Sequence, residues 1–495
     1  MRLSEILKGL EIVNITGDTE IDITGISYDS RKAQSGHLFV AMRGEKADGH
    51  AFIQSAVERG AAAAVYEKPA EFGITDNKVV FIRVKDSRKA LACLANNFFS
   101  RPSDSLTVIG VTGTNGKTTT TYIIKAILEA WGKKVGLIGT IQYLIGDIAY
   151  NATHTTPEAL EFQELLRSML LSGCTHVVTE VSSHALAQKR VDGTAFSAVV
   201  FTNLTRDHLD FHKTMENYCV TKARLFKELL GKEGSSIINS DDLYGRRLIS
   251  ELGAARPDCR GISYGLEEGA DLMASEIRDS FDGLRFSMTI RGRRYEALSP
   301  LMGLPNVYNI LSAAGVAVSL GVPWEVILEG IGKAGHIKGR FEKVDSGQKF
   351  LAVVDYAHTE DALERLIYTA RGLTNGRVIT VFGCGGERDR GKRPVMGSIA
   401  TRLSDFVIIT SDNPRSERPE AIIKEIEAGA VRKNYLIEPD RKEAIKRAVL
   451  IAGENDVVLI AGKGHENYQD IEGRRLRFSD REVLEAAIRH LINHN

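Results

Sequence analysis

Cysteine is scarce in this sequence, and long uncharged hydrophobic runs are absent. The 495 residues include five cysteines, none of them in a CxxC pair: Cys93, Cys174, Cys219, Cys259 and Cys384. Their number and spacing argue against a disulfide framework and against a structural zinc site. No uncharged apolar stretch approaches the roughly 20 residues that a membrane-spanning helix needs. We therefore expect a cytoplasmic protein in a reducing environment, without membrane insertion.

An excess of charge of either sign is also lacking. Lys and Arg together number 64, as do Asp and Glu, so the formal net charge is zero. This balance argues against a protein that coats nucleic acid by bulk electrostatics, but it leaves room for a local basic site that binds a small anion. The composition, 43% hydrophobic and 26% charged, is typical of a folded globular chain. The length predicts about three domains, and we expect a monomer.

The pattern of apolar runs, turn residues and predicted elements suggests domains at residues 1–104, 105–336 and 337–495. The first mixes short apolar runs with turn residues and ends in a helical run, Ser87–Phe99, before the linker Arg101–Ser105. We predict a smaller α/β domain there. In the third, apolar strand candidates alternate with helical segments, which predicts a Rossmann-like α/β domain. These strand candidates are Phe350–Val354, Arg377–Phe382, Asp405–Thr410 and Asp456–Leu459.

The central stretch alternates strands with helices. Helices are predicted at Thr118–Trp131 and Pro157–Leu171. The strand candidates are Leu106–Val111, Lys134–Ile138, His176–Glu180 and Ala198–Phe201. Such alternation predicts βαβ units and therefore a mainly parallel sheet with helices on both faces. Residues 257–297 are richer in β-forming patterns, and we expect them to form an added sheet.

A glycine-rich turn joins the first central strand to its helix. It reads GVTGTNGKTTT at residues 110–120. Glycines let backbone N–H groups curl around an anion, and the helix N-terminus adds positive potential. Lys117 can reach the β- and γ-phosphates, and Thr118 can offer its hydroxyl to Mg²⁺. The glycine spacing departs from the usual G-x4-G-K-[ST], but the strand–turn–helix context predicts a nucleotide-binding phosphate loop.

Two further segments follow predicted strands. Glu180 ends a strand, and a carboxylate at the C-terminal end of a parallel strand faces the ligand crevice, where it could bind Mg²⁺. The segment Thr202–His212 is rich in possible ligands. His208 and His212 are four residues apart and would share one face of a helix. No HExxH motif or cysteine partner supports zinc, so Mg²⁺ is the better companion for a phosphate loop.

Ordered blocks across nearly the whole chain resemble the Mur ligases, ATP-dependent amide ligases that build the peptidoglycan stem peptide. The blocks are GVTGTNGKTTT at 110–120, EVSSHAL at 180–186, TNLTRDHLDFH at 202–212, YCVTKARLF at 218–226, NVYN at 306–309, GRFE at 339–342, DYAHTEDAL at 355–363 and GKGHE at 462–466. This resemblance implies a three-domain fold, with ATP between the central and C-terminal domains.

The resemblance also implies a set of ATP and Mg²⁺ contacts. The ATP-binding positions would be Gly113, Thr114, Asn115, Gly116, Lys117, Thr118, Thr119, Asn309, Arg340, Asp355 and His358. Mg²⁺ would be held by Thr118, Glu180, His208 and Lys222, the last as a carbamate. Lys117, Glu180, His208 and Lys222 would be the catalytic residues. Carbamylation matters because an ammonium cannot ligate a cation, whereas a carbamate offers anionic oxygen.

Within the family, the likeness is greatest to members that add the third stem-peptide residue to UDP-N-acetylmuramoyl-L-alanyl-D-glutamate. The tetrapeptide YDSR at 28–31 resembles the uridine-binding N-terminal domain of such enzymes. Contacts to this UDP-muramoyl-dipeptide would come from Ser30, Thr155, Thr156, Ser182, Gln188 and Arg190.

The sequence DNPR at 412–415 resembles members that add meso-2,6-diaminopimelate. That amino acid has a distal carboxylate that lysine lacks, and the guanidinium of Arg415 can bind it through two parallel hydrogen bonds. Lysine-adding relatives typically lack this arginine. Glu466 would suit the distal ammonium. The implied amino-acid site comprises Arg388, Asp412, Asn413, Pro414, Arg415, Gly462 and Glu466.

The implied reaction proceeds through an acyl phosphate. The D-glutamate γ-carboxylate attacks the γ-phosphorus of ATP, and the amine then attacks the acyl carbon, while the protein positions reactants and neutralises charge. Two alternatives stay within the superfamily: a lysine-adding ligase and a folate polyglutamate synthetase. A third belongs to another class, a P-loop regulator or motor that binds nucleotide without ligating anything. No guanine-selecting NKxD motif is present.

Overall fold

In the part of the chain that the structure describes, three sheets of five, eleven and six strands follow one another, with a small two-stranded sheet near the end. The computed structural model describes residues 1–44, 47–68, 79–335 and 337–494. Residue 336, the predicted end of the second domain, lies outside the described residues. We refer to the parts of the chain that hold the three larger sheets as the N-terminal, central and C-terminal parts. The mixed α/β class expected from the sequence is confirmed.

The N-terminal part has a sheet of order β1-β5-β4-β3-β2, parallel except for β1. Its elements are α1 (Leu3–Ile6), β1 (Ile12–Thr16), β2 (Gly25–Ser27), β3 (His37–Val40), α2 (Ile53–Glu58), β4 (Ala63–Tyr66), β5 (Val80–Val84) and α3 (Ser87–Phe98). Helix α3 begins where Asp86 accepts a hydrogen bond from the backbone N–H of Lys89, an N-cap that satisfies one of the free donors of the first turn. The predicted helical run Ser87–Phe99 is thus confirmed.

The central part is built on the eleven-stranded sheet, of order β16-β15-β14-β13-β12-β11-β6-β10-β7-β8-β9. Its first elements are β6 (Thr107–Thr112), α4 (Lys117–Ala130), β7 (Val135–Ile138), β8 (Gln142–Ile145), β9 (Ile148–Asn151), α5 (Ala159–Leu171), β10 (His176–Glu180), α6 (Ser183–Ala187), β11 (Phe196–Phe201), α7 (Leu209–His212) and α8 (Met215–Arg224). Strands β7, β10, β6, β11 and β12 pair in parallel, which confirms the predicted βαβ organisation. The carboxyl ends of these strands therefore meet at one edge.

The β-rich stretch does not form a separate sheet. The remaining central elements are β12 (Leu230–Asn239), α9 (Leu243–Ala255), β13 (Arg260–Gly265), β14 (Leu272–Ser280), β15 (Gly283–Ile290), β16 (Arg293–Ser299), α10 (Leu304–Ser319) and α11 (Trp324–Lys333). Strand β13 pairs in parallel with β12, and β14–β16 continue the same sheet as an antiparallel meander. The expectation of an added sheet is therefore wrong. The physical reason is that the buried side chains of these strands share one apolar core with helices α4, α10 and α11.

The C-terminal part has a six-stranded sheet of order β17-β18-β22-β19-β20-β21, parallel except for β17. Its elements are β17 (Glu342–Val344), β18 (Leu351–Asp355), α12 (Glu360–Leu373), β19 (Val378–Phe382), α13 (Lys392–Leu403), β20 (Phe406–Ile409), α14 (Pro419–Glu427), β21 (Tyr435–Ile437), α15 (Arg441–Ile451), β22 (Val457–Ala461), β23 (Tyr468–Ile471), β24 (Arg474–Arg477) and α16 (Asp480–His494). The four predicted strand candidates correspond to β18, β19, β20 and β22.

Two expectations rest on what the sequence lacks: that no disulfide framework forms and that no helix spans a membrane. All five cysteines are free thiols. Among the helices of the described ranges, none is both long and apolar enough to cross a bilayer.

Candidate active site

The phosphate loop lies between the end of β6 and the start of α4. Gly113 and Gly116 have positive φ angles of 148° and 87°. A Cβ on Gly116 would fall 2.4 Å from Asn309 Oδ1, and one on Gly113 would fall 1.9 Å from Thr202 Oγ1, so both positions need glycine. Lys117 Nζ donates hydrogen bonds to the carbonyls of Gly113 and Thr114 at 2.9 and 2.7 Å. The lysine side chain thus lies across the loop, where it can bind an anion.

A cavity of about 480 Å³ opens above this loop. Its volume falls within the range of small-molecule sites. Its walls come from the central and C-terminal parts of the chain. Of the predicted ATP-binding residues, those that line it are Thr114, Asn115, Gly116, Lys117, Thr118, Thr119, Asn309, Arg340, Asp355 and His358. Gly113 lies beneath the lining, where its carbonyl accepts from Lys117.

Glu180, at the end of β10, is completely buried at the floor of the cavity (0% exposed). Thr118 Oγ1 lies 3.0 Å from each carboxylate oxygen, and Thr140 donates from its backbone N–H at 2.8 Å and from Oγ1 at 3.0 Å. A carboxylate beside two hydroxyls is a set of hard oxygen ligands, which is what Mg²⁺ prefers. The residues present therefore fit a magnesium ion. Thr140 was not foreseen from the sequence because it follows β7 outside any quoted motif.

Lys222, on α8, is buried beside the phosphate loop (1% exposed) and lines the cavity. Its Nζ donates to the Gly113 carbonyl at 2.8 Å and lies 4.7 Å from the centroid of the Tyr218 ring. Burial, with a smaller contribution from the nearby Lys117 ammonium, holds the pKa of Lys222 well below its ordinary value. Burial also lowers the pKa of Lys117. The buried amine of Lys222 and the partly buried amine of Lys117 thus face the same loop.

His208 and His212 occupy different environments. His208 precedes α7 with a left-handed φ of 54°, lines the cavity, and has its Nε2 3.4 Å from Asp207 Oδ2. His212 is buried, with Nε2 2.9 Å from Ser183 Oγ, and does not line the cavity. The described part of the chain contains no group of three or more His, Cys, Asp or Glu arranged to hold a metal ion.

Arg340 brings the C-terminal part to the phosphate loop. Its Nη2 donates to Thr118 Oγ1 at 3.2 Å, while its Nε is buried and has no hydrogen-bond partner. A buried guanidinium N–H without an acceptor costs free energy unless a ligand supplies one. A phosphate oxygen is a suitable acceptor. The unpaired Nε therefore fits an anionic ligand in the cavity.

The neighbouring C-terminal residues Asp355 and His358 are hydrogen-bonded to backbone groups. Asp355 accepts from the backbone N–H groups of Phe341 at 2.6 Å and Ala357 at 2.7 Å, and burial raises its pKa. His358 Nδ1 lies 2.8 Å from the Tyr356 carbonyl, and burial lowers its pKa.

A second bridge joins the central and C-terminal parts. Asp361 Oδ2 accepts from Asn115 Nδ2 at 2.8 Å and from Thr205 Oγ1 at 3.3 Å. Asp361 was not singled out from the sequence, although it lies within the quoted block at 355–363. Its position on the first turn of α12 places it against the phosphate loop.

The residues predicted to hold the muramoyl-dipeptide are divided between the cavity and its surroundings. Thr155 and Ser182 line the cavity. Thr156 is buried beside them, and its Oγ1 donates to the Glu180 carbonyl at 2.8 Å. Arg190 donates to the Thr156 carbonyl at 2.9 Å and to Gln188 Oε1 at 2.7 Å. The structure thus groups five of the six predicted positions.

Ser30 is the sixth, and it lies outside the cavity lining in the N-terminal part. It begins a short 3₁₀ helix, Ser30–Lys32. Two residues earlier, Tyr28 donates to Glu161 Oε1 of the central part at 2.7 Å. This contact holds the Ser30 segment against α5.

The predicted amino-acid residues come together at the carboxyl ends of β20 and β22. Asn413 Nδ2 donates to Glu466 Oε2 at 2.8 Å. A Cβ on Gly462, whose φ is 118°, would fall 2.5 Å from Asp412 Oδ2. Arg415 has a left-handed φ of 51° and donates from Nη1 to the Gly386 carbonyl. The site is a polar surface rather than part of the 480 Å³ cavity.

The remaining predicted residues border this surface. The ideal Cβ position of Gly385 lies 3.0 Å from Arg415 Nη1 and 3.7 Å from Arg388 Cγ, so both arginines flank the same turn. Pro414 packs on that loop, since a Cβ on Gly386 would fall 2.0 Å from its carbonyl oxygen. The Gly386 backbone N–H of this turn donates to the Asn413 carbonyl at 2.9 Å, which links the two arginines to the Asn413–Glu466 pair. Such a set suits a ligand that carries both a carboxylate and an ammonium.

Lys463 lies beneath this surface and is not among the residues predicted from the sequence. It is completely buried (0% exposed), and its Nζ donates to Asn413 Oδ1 at 2.9 Å and to Glu466 Oε2 at 2.8 Å. It lies within the quoted GKGHE block, which was the available signal. Its environment could not be read from that block because it depends on contacts with Asn413, after β20, and with the Tyr468 ring on β23.

The chain is similar to known proteins along most of its length. Three family descriptions match the chain: Mur ligase family, catalytic domain, at residues 22–99; Mur ligase middle domain at 111–317; and Mur ligase, glutamate ligase domain, at 339–464.

Individual relatives match over their whole length. A protein of Clostridium tetani named UDP-N-acetylmuramoyl-L-alanyl-D-glutamate--2,6-diaminopimelate ligase is 45% identical over 99% of this chain and 100% of its own. One of the same name from Solibacter usitatus is 45% identical over 99% and 98%. A solved structure of that name is 33% identical, covers 100% of this chain and 99% of its own, and superposes with a TM-score of 0.71.

Proposed function

The chain belongs to the Mur ligase family, and from that premise we propose that it joins meso-2,6-diaminopimelate to the D-glutamate γ-carboxylate of UDP-N-acetylmuramoyl-L-alanyl-D-glutamate, using ATP. This is a step of peptidoglycan biosynthesis. One observation carries the proposal: the phosphate cavity of Lys117, Glu180 and Arg340 occurs in the same chain as an Asn413–Glu466 pair whose asparagine lies two residues before Arg415. The first suits a nucleotide, and the second suits an amino acid with a distal carboxylate and ammonium.

The chemistry needs activation of a carboxylate, because oxide is a poor leaving group. In the proposed reaction the γ-carboxylate attacks the γ-phosphorus of ATP, which releases ADP and leaves an acyl phosphate. The amine of diaminopimelate attacks the acyl carbon, and the tetrahedral intermediate collapses to the amide and phosphate. Such catalysis depends mainly on positioning and on charge stabilisation.

Named residues supply those two effects. Lys117 and Arg340 would neutralise the transferring phosphoryl group, and the buried Arg340 Nε without a partner supports this role. Thr118 and Glu180 would hold Mg²⁺, with His208 contributing from the cavity wall. When bound, Mg²⁺ supplies further charge neutralisation at the phosphates. Asn309, Asp355 and His358 would position the nucleotide.

Lys222 would act as a carbamate. Addition of CO₂ to an amine requires the neutral form and releases one proton. Burial lowers the pKa of Lys222 well below its ordinary value, which increases the neutral fraction. The resulting anionic oxygens would lie next to Gly113 and the phosphate loop.

The proposed domains, 1–104, 105–336 and 337–495, correspond to three ligands: the uridine nucleotide sugar, ATP and the amino acid. Contacts of Arg340 and Asp361 with the phosphate loop support a closed arrangement, in which the amine is brought to the acyl phosphate and water is excluded. We further propose that the enzyme works in the cytoplasm, where ATP and these substrates are available.

An amino-acid panel assay tests the proposal. Phosphate release is measured with ATP, the UDP-muramoyl-dipeptide and either diaminopimelate, lysine or no amino acid. We expect release only when the dipeptide and diaminopimelate are both present. Equal rates with lysine would indicate a lysine-adding ligase, and hydrolysis without either substrate would indicate a P-loop regulator or motor.

Two variants calibrate the panel. Lys117→Ala should lower turnover by about 100-fold or more, because one preorganised charge at the phosphoryl group is lost. Lys125→Ala changes a lysine on the same helix that pairs with Glu129 rather than facing the loop, and it should keep the parent rate. Unchanged turnover in Lys117→Ala would refute the phosphate-loop assignment.

A further inference from the structure

Lys463 belongs to the neighbourhood of the amino-acid surface, but no solvent reaches it (0% exposed). Its ammonium is bonded to Asn413 Oδ1 and Glu466 Oε2 and lies 5.4 Å from the centroid of the Tyr468 ring. Two of its three N–H donors are thus used by Asn413 and Glu466, and burial separates the whole group from solvent. Lys463 therefore lies behind the surface that would receive the amino acid.

The lysine helps to determine which way the Asn413 amide faces. Asn413 Oδ1 accepts from Lys463 Nζ at 2.9 Å and from the backbone N–H of Asp470 at 3.0 Å. Its Nδ2 then donates to Glu466 Oε2. A flipped amide would place Nδ2 against two donors and Oδ1 against the carboxylate, which is doubly unfavourable.

The same lysine also determines how Glu466 is used. Glu466 Oε2 accepts from both Lys463 and Asn413 at 2.8 Å. Since Oε2 is taken up by the protein, Oε1 is the oxygen available to a ligand ammonium. Without Lys463 the carboxylate would lose the cation that holds it, and both oxygens could turn away from the site.

We propose that Lys463 is a positioning residue for amino-acid recognition, which acts through Asn413 and Glu466 without touching the substrate. The proposal rests on the function proposed above and names a residue that orients its amino-acid site. Its distinguishing consequence is selective: the KM for diaminopimelate should depend on Lys463, whereas the KM for ATP should not.

The test compares Lys463→Met with the parent enzyme in the phosphate-release assay. Loss of charge-assisted hydrogen bonds should raise the KM for diaminopimelate at least about tenfold, with the KM values for ATP and the UDP-muramoyl-dipeptide unchanged. Lys446→Met is the matched control, since Lys446 also pairs with a glutamate three residues away, Glu443, but on an exposed helix surface. It should retain the parent constants.

A double-mutant cycle with Glu466→Gln separates positioning from a general structural effect. If Lys463 acts through Glu466, then Lys463→Met should change the KM for diaminopimelate much less in the Glu466→Gln background than in the parent. Equal effects in both backgrounds, or a parallel rise in the KM for ATP, would overturn the proposal. If Lys463→Met loses its native thermal transition, the same double-mutant cycle is measured with Lys463→Arg. The KM for diaminopimelate in that cycle then tests the proposal.

The two proposals fail differently. If the parent enzyme does not use diaminopimelate, the proposed function is wrong. If the parent uses it and Lys463→Met leaves its KM unchanged, only the role of Lys463 is wrong.

Discussion

Arg340 Nη2 donates a 3.2 Å hydrogen bond to Thr118 Oγ1, which joins the C-terminal part of the chain to the first turn of the phosphate-loop helix. The Thr118 hydroxyl is in turn 3.0 Å from both oxygens of Glu180. One hydroxyl thus connects a guanidinium from one part of the protein with a buried carboxylate from another. The state of the nucleotide site is therefore tied to the docking of the C-terminal part.

The Arg340 contact predicts a large catalytic effect. Arg340→Ala should lower kcat by about 100-fold, because a preorganised donor at the phosphoryl group is lost together with the contact to Thr118. Steady-state kinetics with varied ATP measure it. Arg402→Ala removes an exposed arginine paired with Glu364 on the same part of the chain and should leave kcat unchanged. A parent-like kcat for Arg340→Ala would contradict the assignment.

We expect Arg415 to determine the selectivity for diaminopimelate over lysine. Arg415→Ala should raise the KM for diaminopimelate about 10- to 100-fold, since the distal carboxylate loses charge-assisted hydrogen bonds. The KM for ATP should not change. Arg418→Ala, three residues further along and before α14, serves as the control. Competition between diaminopimelate and lysine gives the selectivity directly, and an unaltered preference in Arg415→Ala would exclude this arginine as its source.

We expect CO₂ to modify Lys222 reversibly. After equilibration with ¹³C-bicarbonate, the parent should show a carbamate carbon resonance that Lys222→Arg lacks. Lys227→Arg, on a partly exposed lysine paired with Glu251, should retain it. Turnover should fall in CO₂-depleted buffer and return when bicarbonate is added. A resonance that persists in Lys222→Arg would assign the carbamate to another amine.

We expect Glu417 to make a pH-dependent contribution to the stability of the folded protein. It accepts hydrogen bonds from the buried Arg393 at 2.9 Å, and this guanidinium lowers the pKa of Glu417 from 4.5 to about 2. The unfolded chain therefore binds a proton more readily than the native one between these values, so the stabilisation is present above pH 4.5 and is lost as pH falls toward about 2.

The corresponding variant is Glu417→Gln. At pH 7 it should lower the free energy of unfolding by about 1.5–3 kcal/mol, the usual contribution of a hydrogen bond to a charged group. Urea unfolding at several pH values measures the difference from the parent, which should shrink below pH 4.5. A difference that stays constant with pH would show that the ion pair is not its cause. Glu420→Gln, in the first turn of α14, is the control for loss of a carboxylate.

Local sequence predicts where several site residues lie along the strands and turns. It does not predict how deeply they are buried or which side chains surround them. Glu180 could be placed at the crevice because a strand-ending residue in a parallel sheet faces that edge. Its complete burial, and the two donors from Thr140, depend on the loop after β7, which no motif marks. Lys463 illustrates the same limit, since its neighbours Asn413 and Asp470 come from other elements.

The fold shows a similar division. Alternating apolar runs and helical segments correctly predicted the parallel strands around the phosphate loop. The β-rich stretch was assigned to an added sheet because alternation reveals strands but not their partners. Its strands joined the central sheet, where their apolar faces share a core with α10 and α11.

The sequence by itself determined the phosphate loop. The loop's requirements are local: a strand, glycines that tolerate positive φ, and a lysine at the start of a helix lie within about ten residues. Tertiary structure alone decided what meets that loop. Arg340 lies 222 positions from Thr118 and Asp361 lies 246 positions from Asn115. Contacts over such separations depend on strand order and on how the sheets dock, and no local pattern encodes either.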